Sequence, residues 1–312
     1  MAERPTIGVV TVTYNSANIL NDFLRCTSAQ TYRNILIYAI DNASQDSTLE
    51  LLRAWDDPRL KVIANPDNRG VAKANNQGIQ AAMDDGCGLI LLINNDTGFD
   101  PQLFELLADG LYQQKSDMVC PKILYFDEPS RIWAAGGAFQ PLLGFRNYHR
   151  GENQEDIGQF NDPCLVDYAP TCCILIRRDV FSQIGLMDER YFVYSDDSDF
   201  LLRARRQQLR MFFIPKAKLW HKVSSLTGGL ESEFTCYHAA RGRALFLYKN
   251  LGRVRGEFWI VMMHLLYIVR PLLGKDTKKR CDEKRRGLRD GEKLAVSIHK
   301  RENRSIALEP NS

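Results

Sequence analysis

The sequence predicts an α/β fold: a mostly parallel, doubly wound sheet with flanking helices, followed by a C-terminal helical extension. Three observations carry this. Short apolar, β-branched runs alternate with helix-like segments through the first hundred residues, which is the pattern of a parallel sheet buried on both faces. Each apolar run ends abruptly in a polar cluster, and ligands of doubly wound sheets gather past the carboxyl ends of the strands. At 312 residues and 45% hydrophobic, the chain can bury a core for one large α/β domain plus an appendage.

The elements follow in order. Ile7 to Thr13 (IGVVTVT) reads as a buried strand, ended by Tyr14-Asn15-Ser16 and followed by a helix from Ile19 to Ala29; Ser16 or Asn18 is placed to cap it. Ile35 to Ile40 is a second strand ending in Asp41-Asn42-Ala43-Ser44, and Thr48 to Trp55 a helix. Lys61 to Ala64 makes a third strand, Asn65 to Gly70 a turn-rich loop, Val71 to Met83 a helix, and Gly88 to Ile93 a strand that stops at Asn94-Asn95-Asp96-Thr97. A helix from Pro101 to Gln114 precedes strands at Met118 to Leu124 and Cys172 to Arg177. Between those strands, Glu128 to Val166 reads as a long Gly/Pro/Asn-rich loop, and loops of that length carry function. Helix Arg178 to Ile184, the acidic segment Tyr194 to Asp199, a helix through Gln208 and a strand from Arg210 to Ile214 lead to Trp220-His221. No internal repeat is evident.

From this we expect a catalytic domain over residues 1–235, a helical segment over 236–274 and a basic, flexible tail over 275–312. The apolar run Phe258 to Leu273 is interrupted by His264, Arg270 and Pro271. It falls short of the about 20 apolar residues that span a bilayer, so it reads as an interfacial or partner-packing helix. The Lys/Arg-dense stretch Lys275 to Arg289 suits an anionic membrane leaflet or is a solvated tail.

Composition narrows the function. With 41 basic and 38 acidic residues, net +3, the chain has no nucleic-acid-binding balance. The eight cysteines include no CxxC spacing, and Cys172-Cys173 sit inside an apolar run, so a zinc ribbon or secreted disulfide framework is not indicated. The opening MAERPTIGVV has acid and proline where a secretion signal would carry a basic start and a long apolar stretch. The expected location is the cytoplasm.

Four positions carry chemistry. Asp96 follows a buried strand, where a carboxylate can hold a divalent cation against the charge of a diphosphate; the same residue could serve as a turn or capping aspartate. Asp196, Asp197 and Asp199 crowd three carboxylates into four positions, which supplies a general-base candidate for deprotonating a hydroxyl. Asp199 has Arg203 four residues on as an ion-pair partner. His221 can ligate a metal beside a carboxylate or be a structural histidine. Asp41, ending the second strand, is a turn residue or an acceptor for a nucleotide N–H.

Six ordered motifs, VVTVTYNS, IDNASQDST, NRGVAKANNQGI, LLINNDT, FVYSDDSDFLLRAR and LWHKVSS, span about three quarters of the chain. Together they resemble the inverting glycosyltransferase family 2 with its GT-A fold, above all the bacterial rhamnosyltransferase-like and galactofuranosyltransferase-like members. The resemblance implies that Thr13, Asn15 and Asp41 hold the nucleotide base and ribose, and that Asn68, Lys73 and Asn76 line the donor pocket. It implies Asp96 as ligand of Mn2+ or Mg2+ in a DXD-like motif, joined by His221, and Asp197 as base with Asp196 beside it. Two departures stand out: the metal motif is Asn94-Asn95-Asp96, with one carboxylate, and the usual Glu-Asp pair is Asp196-Asp197. The implied reaction moves a sugar, rhamnose first among candidates, from a dTDP- or UDP-sugar to a hydroxyl of a glycan or lipid-linked acceptor in cell-surface polysaccharide synthesis, at the inner face of the membrane. Two rivals are a sugar nucleotidyltransferase and an inactive nucleotide-sugar-binding protein. The first would open with a glycine-rich phosphate loop, and Thr11 to Ser16 contains no glycine; a dinucleotide dehydrogenase lacks its GxGxxG for the same reason. The second would not need Asp96, Asp197 and His221.

Overall fold

The computed structural model describes residues 4–222 and 232–306, with side chains placed through His299. The opening β-branched run forms β1 (Ile7–Thr13), and strand and helix then alternate as α1 (Ala17–Ser28), β2 (Ile35–Asp41), α2 (Thr48–Ala54), β3 (Leu60–Ala64), α3 (Val71–Asp84) and β4 (Leu89–Ile93). β1 pairs in parallel with both β2 and β4, and β2 with β3. Ile7 and Val9 of β1 and Leu89, Leu91 and Ile93 of β4 join Leu20, Phe23 and Leu24 of α1 in one core cluster. The intervening residues point to the other face by the two-residue period of the pleat, and they too are buried. Burial on both faces is why these strands are apolar throughout rather than alternating.

The chain continues through β5 (Thr97–Phe99), α4 (Leu103–Gln113), β6 (Met118–Tyr125), β7 (Ile132–Ala134), β8 (Gly137–Gln140), a 3-10 turn at Pro141–Leu143, β9 (Arg146–His149), β10 (Cys164–Leu165), β11 (Cys173–Arg177), α5 (Arg178–Ile184), α6 (Asp196–Arg206) and β12 (Met211–His221). Among the described residues the main sheet has the order β10-β12-β6-β11-β4-β1-β2-β3, with β5 on β12 and β7 on β6. β11 runs antiparallel to both β4 and β6. It enters from the carboxyl edge, where the Asn94 N–H donates to the Cys172 carbonyl at 2.9 Å, so no crossover helix is needed.

Two sequence expectations are corrected. Glu128 to Val166, read as a loop, carries β7 to β10, with β8 and β9 paired as a hairpin. The last strand does not stop at Ile214. It runs on to His221, its register on β6 shifting between Ile214 and Lys218. Pro215 falls inside that irregularity, where a missing N–H breaks no ladder bond, so Trp220 and His221 lie within a strand rather than beyond a turn.

The described residues form two compact units, one of 4–190 and 197–222, the other of 191–196 and 232–306, a division unlike the expected breaks at 235 and 274. In the second unit, α7 (Glu233–Leu251), α8 (Arg253–Leu272) and α9 (Lys278–Ile306) bury a cluster of Ala240, Ala244, Leu247, Ile260 and Leu288. The Ser232 hydroxyl caps α7 by accepting from the Thr235 N–H at 3.1 Å. The stretch expected to be a flexible tail is thus a helix over residues 278–306. Its buried Cys281, Leu288 and Ala295 recur every seven residues, a seam spacing. Gly287 and Gly291, one turn apart, let its backbone approach α7 so closely that a Cβ would collide with the Tyr237 and Arg241 carbonyl oxygens. Gly287→Leu should therefore destabilise this unit. Alanine-like helix propensity would return about 1 kcal/mol at most, whereas overpacking against backbone costs about 1–3 kcal/mol. The measurement is the urea midpoint, and an unchanged midpoint would mean that α9 is not packed on α7 through this glycine.

Candidate active site

The carboxyl edge of the sheet is built from interlocked turns. The parallel register sets Thr13 beside Asp41, and the Thr13 hydroxyl donates to Asp41 Oδ1 at 3.0 Å. The Ser44 N–H and hydroxyl both donate to the same carboxylate, at 3.0 and 2.5 Å. Asn15 has a left-handed backbone, φ 49°, a conformation asparagine tolerates better than most residues. Its N–H donates to Ser44 Oγ at 2.9 Å and its Oδ1 accepts from the Gln45 N–H at 2.8 Å. Asn42, which sequence reading passed over, ties in the next turn: its Oδ1 accepts from Asn65 Nδ2 at 3.0 Å and its Nδ2 donates to the Gly70 carbonyl at 3.2 Å. Asn68 Oδ1 accepts from the Gly70 N–H at 3.0 Å just before α3. Thr13, Asn15, Asp41 and Asn68 thus lie at ends of successive elements of one edge. Lys73, in the first turn of α3, stands 3.7 Å from Glu189 with both side chains partly exposed.

Asn76 is used differently from the expectation. Its Nδ2 donates to the Met187 carbonyl and to Glu189 Oε1 at 2.8 and 3.2 Å, and its Oδ1 accepts from the Met187 N–H at 3.0 Å. Both amide hydrogens are spent, so Asn76 clamps the loop after α5 instead of offering a donor to a ligand.

The antiparallel pairing of β5 with β12 puts His221 opposite Thr97 and so beside Asp96. His221 Nε2 lies 3.1 Å from Asp96 Oδ1, and both side chains are buried. The neighbouring Asn95 does not face this pair: its Nδ2 donates to Ser16 Oγ at 2.8 Å, locking the end of β4 to the end of β1. The middle position of Asn94-Asn95-Asp96 is thus structural, and the one carboxylate of the three is Asp96. Among the described residues no group of three or more His, Cys, Asp or Glu converges as a complete metal cage. The residues present fit a half-site. Two adjacent ligands of an octahedral ion with bonds of about 2.1 Å stand about 3.0 Å apart, which is the separation of the carboxylate and imidazole here. Asp96 and His221 would hold such a cation, which would supply positive charge against a phosphate.

From His221 a line of rings leads to the acidic segment. Trp133, on β7, meets His221 and His149 edge-on, with centroids 4.7 Å apart in each case. His149, ending β9, stacks on Tyr168 at 5.8 Å with planes 11° apart. Both flank Gly137, which pairs with His149 and bridges to Tyr168; a Cβ there would collide with the Tyr148 carbonyl oxygen and crowd the Tyr168 ring. Burial holds the His149 imidazole below its ordinary pKa, against the pull of Glu152 and then Asp197, so it stays neutral. The Tyr168 hydroxyl donates to Asp197 Oδ2 at 2.6 Å, and the Ser198 N–H to Oδ1 at 2.6 Å. Asp197 is oriented through both oxygens. Trp133, His149 and Tyr168 carried no sequence signal beyond the length of the excursion that holds the first two.

Tyr168 thus fixes the orientation of the Asp197 carboxylate. A hydrogen bond to a charged group is worth about 1.5–3 kcal/mol, so Tyr168→Phe should lower kcat about tenfold or more while leaving the KM for donor in place. An unchanged kcat would remove Tyr168 from the machinery.

Asp196 opens α6 and belongs with the second unit. Ahead of it, Tyr194 and Ser195 both have left-handed backbones, φ 65° and 66°, at a cost of about 1–3 kcal/mol each. Within that unit the turn is fixed by the Tyr194 hydroxyl against Thr235 Oγ1 at 3.1 Å, and by Gly242 of α7, where a Cβ would lie 2.7 Å from the Tyr194 carbonyl oxygen. Asp199 accepts from Arg203 Nε at 3.0 Å and is fully buried, the ion pair its spacing predicted. Of the LWHKVSS motif, residues 223–225 lie outside the described residues.

A sheet of this order, with its polar groups gathered past the strand ends and a carboxylate facing an imidazole, is a GT-A glycosyltransferase domain. The family model described as glycosyl transferase family 2 matches residues 8–185, more than half of the chain, and the chain belongs to that family. The match stops before Asp197 and His221, whose place at the site rests on geometry. The chain is 26% identical over 242 residues to the N-acetylglucosaminyl-diphospho-decaprenol L-rhamnosyltransferase of Mycobacterium tuberculosis, covering 70% of this chain and 77% of that one. It is 21% identical over 251 residues to the dTDP-rhamnosyl transferase RfbF of Shigella flexneri, covering 78% and 80%. Among solved structures, GalNAc-T7 with UDP, GalNAc and Mn2+ superposes with a TM-score of 0.64 at 15% identity, over 96% of this chain and 58% of that one. The mannosyltransferase PcManGT from Pyrobaculum calidifontis, with GDP-Man and Mn2+, gives 0.55 at 14%, over 95% and 88%. The structural likenesses show the fold alone. The expected α/β GT-A fold and family 2 membership are both met, and the protein is a glycosyltransferase.

Proposed function

We propose that the enzyme transfers rhamnose from dTDP-rhamnose, with inversion, to a hydroxyl of a polyprenyl-diphosphate-linked glycan at the inner face of the cell membrane. The observation that supports it most is the pairing of Asp96 with His221 on the same carboxyl edge as the turns at Thr13 and Asp41, joined by a line of rings to an Asp197 held at both oxygens. Thr13, Asn15 and Asp41 bind the nucleoside, and Asn68 and Lys73 border the donor diphosphate. Asp96 and His221 would hold Mn2+ or Mg2+, which when bound neutralises the charge of the departing diphosphate. Asp197 takes the proton of the acceptor hydroxyl as its oxygen forms a bond to the anomeric carbon; the bond from that carbon to the diphosphate oxygen breaks, and the nucleoside diphosphate leaves with the electron pair. Attack opposite the leaving group inverts the centre. The relatives named for rhamnosyl transfer and for a diphospho-decaprenol acceptor favour this sugar and this acceptor class.

The test is a panel of dTDP-rhamnose, UDP-sugars and GDP-mannose, each with Mn2+ or Mg2+ and a polyprenyl-diphosphate-linked acceptor, with the anomeric configuration of the product read by NMR. Metal-dependent transfer from dTDP-rhamnose with inversion is the expected result. Retention of configuration, or transfer from another donor only, would overturn the reading.

A further inference from the structure

Helix α8 is apolar on two sides. Its inner side places Ile260 in the core of the second unit, with Trp259, Met263 and Tyr267 packed against it. Its outer side carries Phe258, Val261, Leu265, Leu266, Val269 and Leu272, all exposed, Phe258 at 58% and Leu272 at 81%. These recur at helical spacing, so they form one stripe rather than scattered residues. A stripe of this extent on a helix whose core-facing side is already satisfied marks an interaction surface. No helix among the described residues is long and apolar enough to cross a membrane.

We propose that the outer face of α8 docks on the surface of a bilayer containing anionic lipid, with the helix lying in the interface. Charge selects this occupant. Between Arg253 and Arg280 there are seven Lys/Arg residues against two acids, gathered at the two ends of the stripe: Arg253 and Arg255 before it, and Arg270, Lys275, Lys278, Lys279 and Arg280 at or beyond its far end. Apolar residues on one face with basic residues at the rims is the pattern of an interfacial helix on anionic headgroups. A second copy of the chain on the same stripe would bring like-charged ends together, which is unfavourable. The proposal extends the lipid-linked acceptor reading above, but vesicle binding and sugar transfer are measured separately.

The experiment uses the full chain and flotation with vesicles of phosphatidylcholine alone or mixed equally with phosphatidylglycerol. Wild type should bind the mixed vesicles at least tenfold more tightly than the neutral ones, and less tightly as salt is raised. Leu265→Ser/Leu266→Ser/Val269→Ser should lose at least tenfold of that binding with its urea midpoint and soluble donor hydrolysis unchanged. Lys275→Glu/Lys278→Glu, which touches no packed side chain, should weaken binding to the mixed vesicles only. Absence of wild-type binding to either vesicle overturns the proposal, as does undiminished binding by the triple serine variant. A dimer in light scattering that the serine variant makes monomeric, without vesicle binding, would assign the face to a second copy. Vesicle binding without rhamnosyl transfer would leave this surface standing and remove the donor assignment instead.

Discussion

Asp197→Asn is expected to lower turnover about 10²- to 10⁴-fold, the range of general-base assistance, with donor affinity preserved. The substitution suits the site because the amide can keep both of its neighbours. Asn Oδ1 can accept from the Ser198 N–H, which bonds Asp197 Oδ1 at 2.6 Å, and Nδ2 can donate to the Tyr168 oxygen once that hydroxyl rotates. Shape and orientation survive, and only the ability to take a proton is lost. Asp196→Asn should have a smaller effect, because Asp196 belongs with the turn held on α7 and contributes by charge. Turnover and nucleotide-sugar affinity are measured for both variants at saturating metal. Near-normal turnover in Asp197→Asn with a dead Asp196→Asn would reverse the roles within the pair. Loss of donor binding in both would assign the acidic segment to the donor site.

The parts of the molecule legible in its sequence are those where one physical demand dominates. β1, β2 and β4 are buried, so each is a continuous apolar run with a polar stop, whereas β3 at the sheet edge is only half-buried and carries Lys61; α5 spans the residues its pattern predicts. α9 was hidden because its seam is made of Cys, Ala, Leu and Gly, which hardly register against the Lys and Arg on its other faces. Pro215 imitates a strand end, yet it sits where the register with β6 shifts. In the site, Asp96 and His221 were visible as chemistry and the structure brings them together. The rings of Trp133, His149 and Tyr168 were not visible, because their stacking follows from the register of β8 on β9 around Gly137. Asn76 shows the opposite error: a polar residue in the right motif is consumed by Met187 and Glu189, far away in sequence.

Removing the carboxylate of Asp96 should have the largest effect of all, a fall in transfer of about 10³-fold or more. A leaving diphosphate stripped of its counter-charge loses several kcal/mol of transition-state stabilisation, and one oxygen of Asp96 stands 3.1 Å from His221 Nε2 with no second carboxylate in the motif to substitute. Asp96→Ala also leaves the buried imidazole without that carboxylate, a penalty of about 1–3 kcal/mol, so the melting temperature is measured alongside. Asn95 keeps its bond to Ser16, and the turn itself should hold. Asp96→Asn serves as the control that keeps the volume. His221→Ala should reduce transfer less, since the carboxylate remains to neutralise charge. Manganese affinity, read by electron paramagnetic resonance with dTDP present, should fall in all three variants, and EDTA should silence the wild type until Mn2+ is restored. A wild type indifferent to EDTA beside a dead but folded Asp96→Ala would mean that Asp96 works by holding His221 in place, and that the charge of the diphosphate is met by basic side chains instead of a cation.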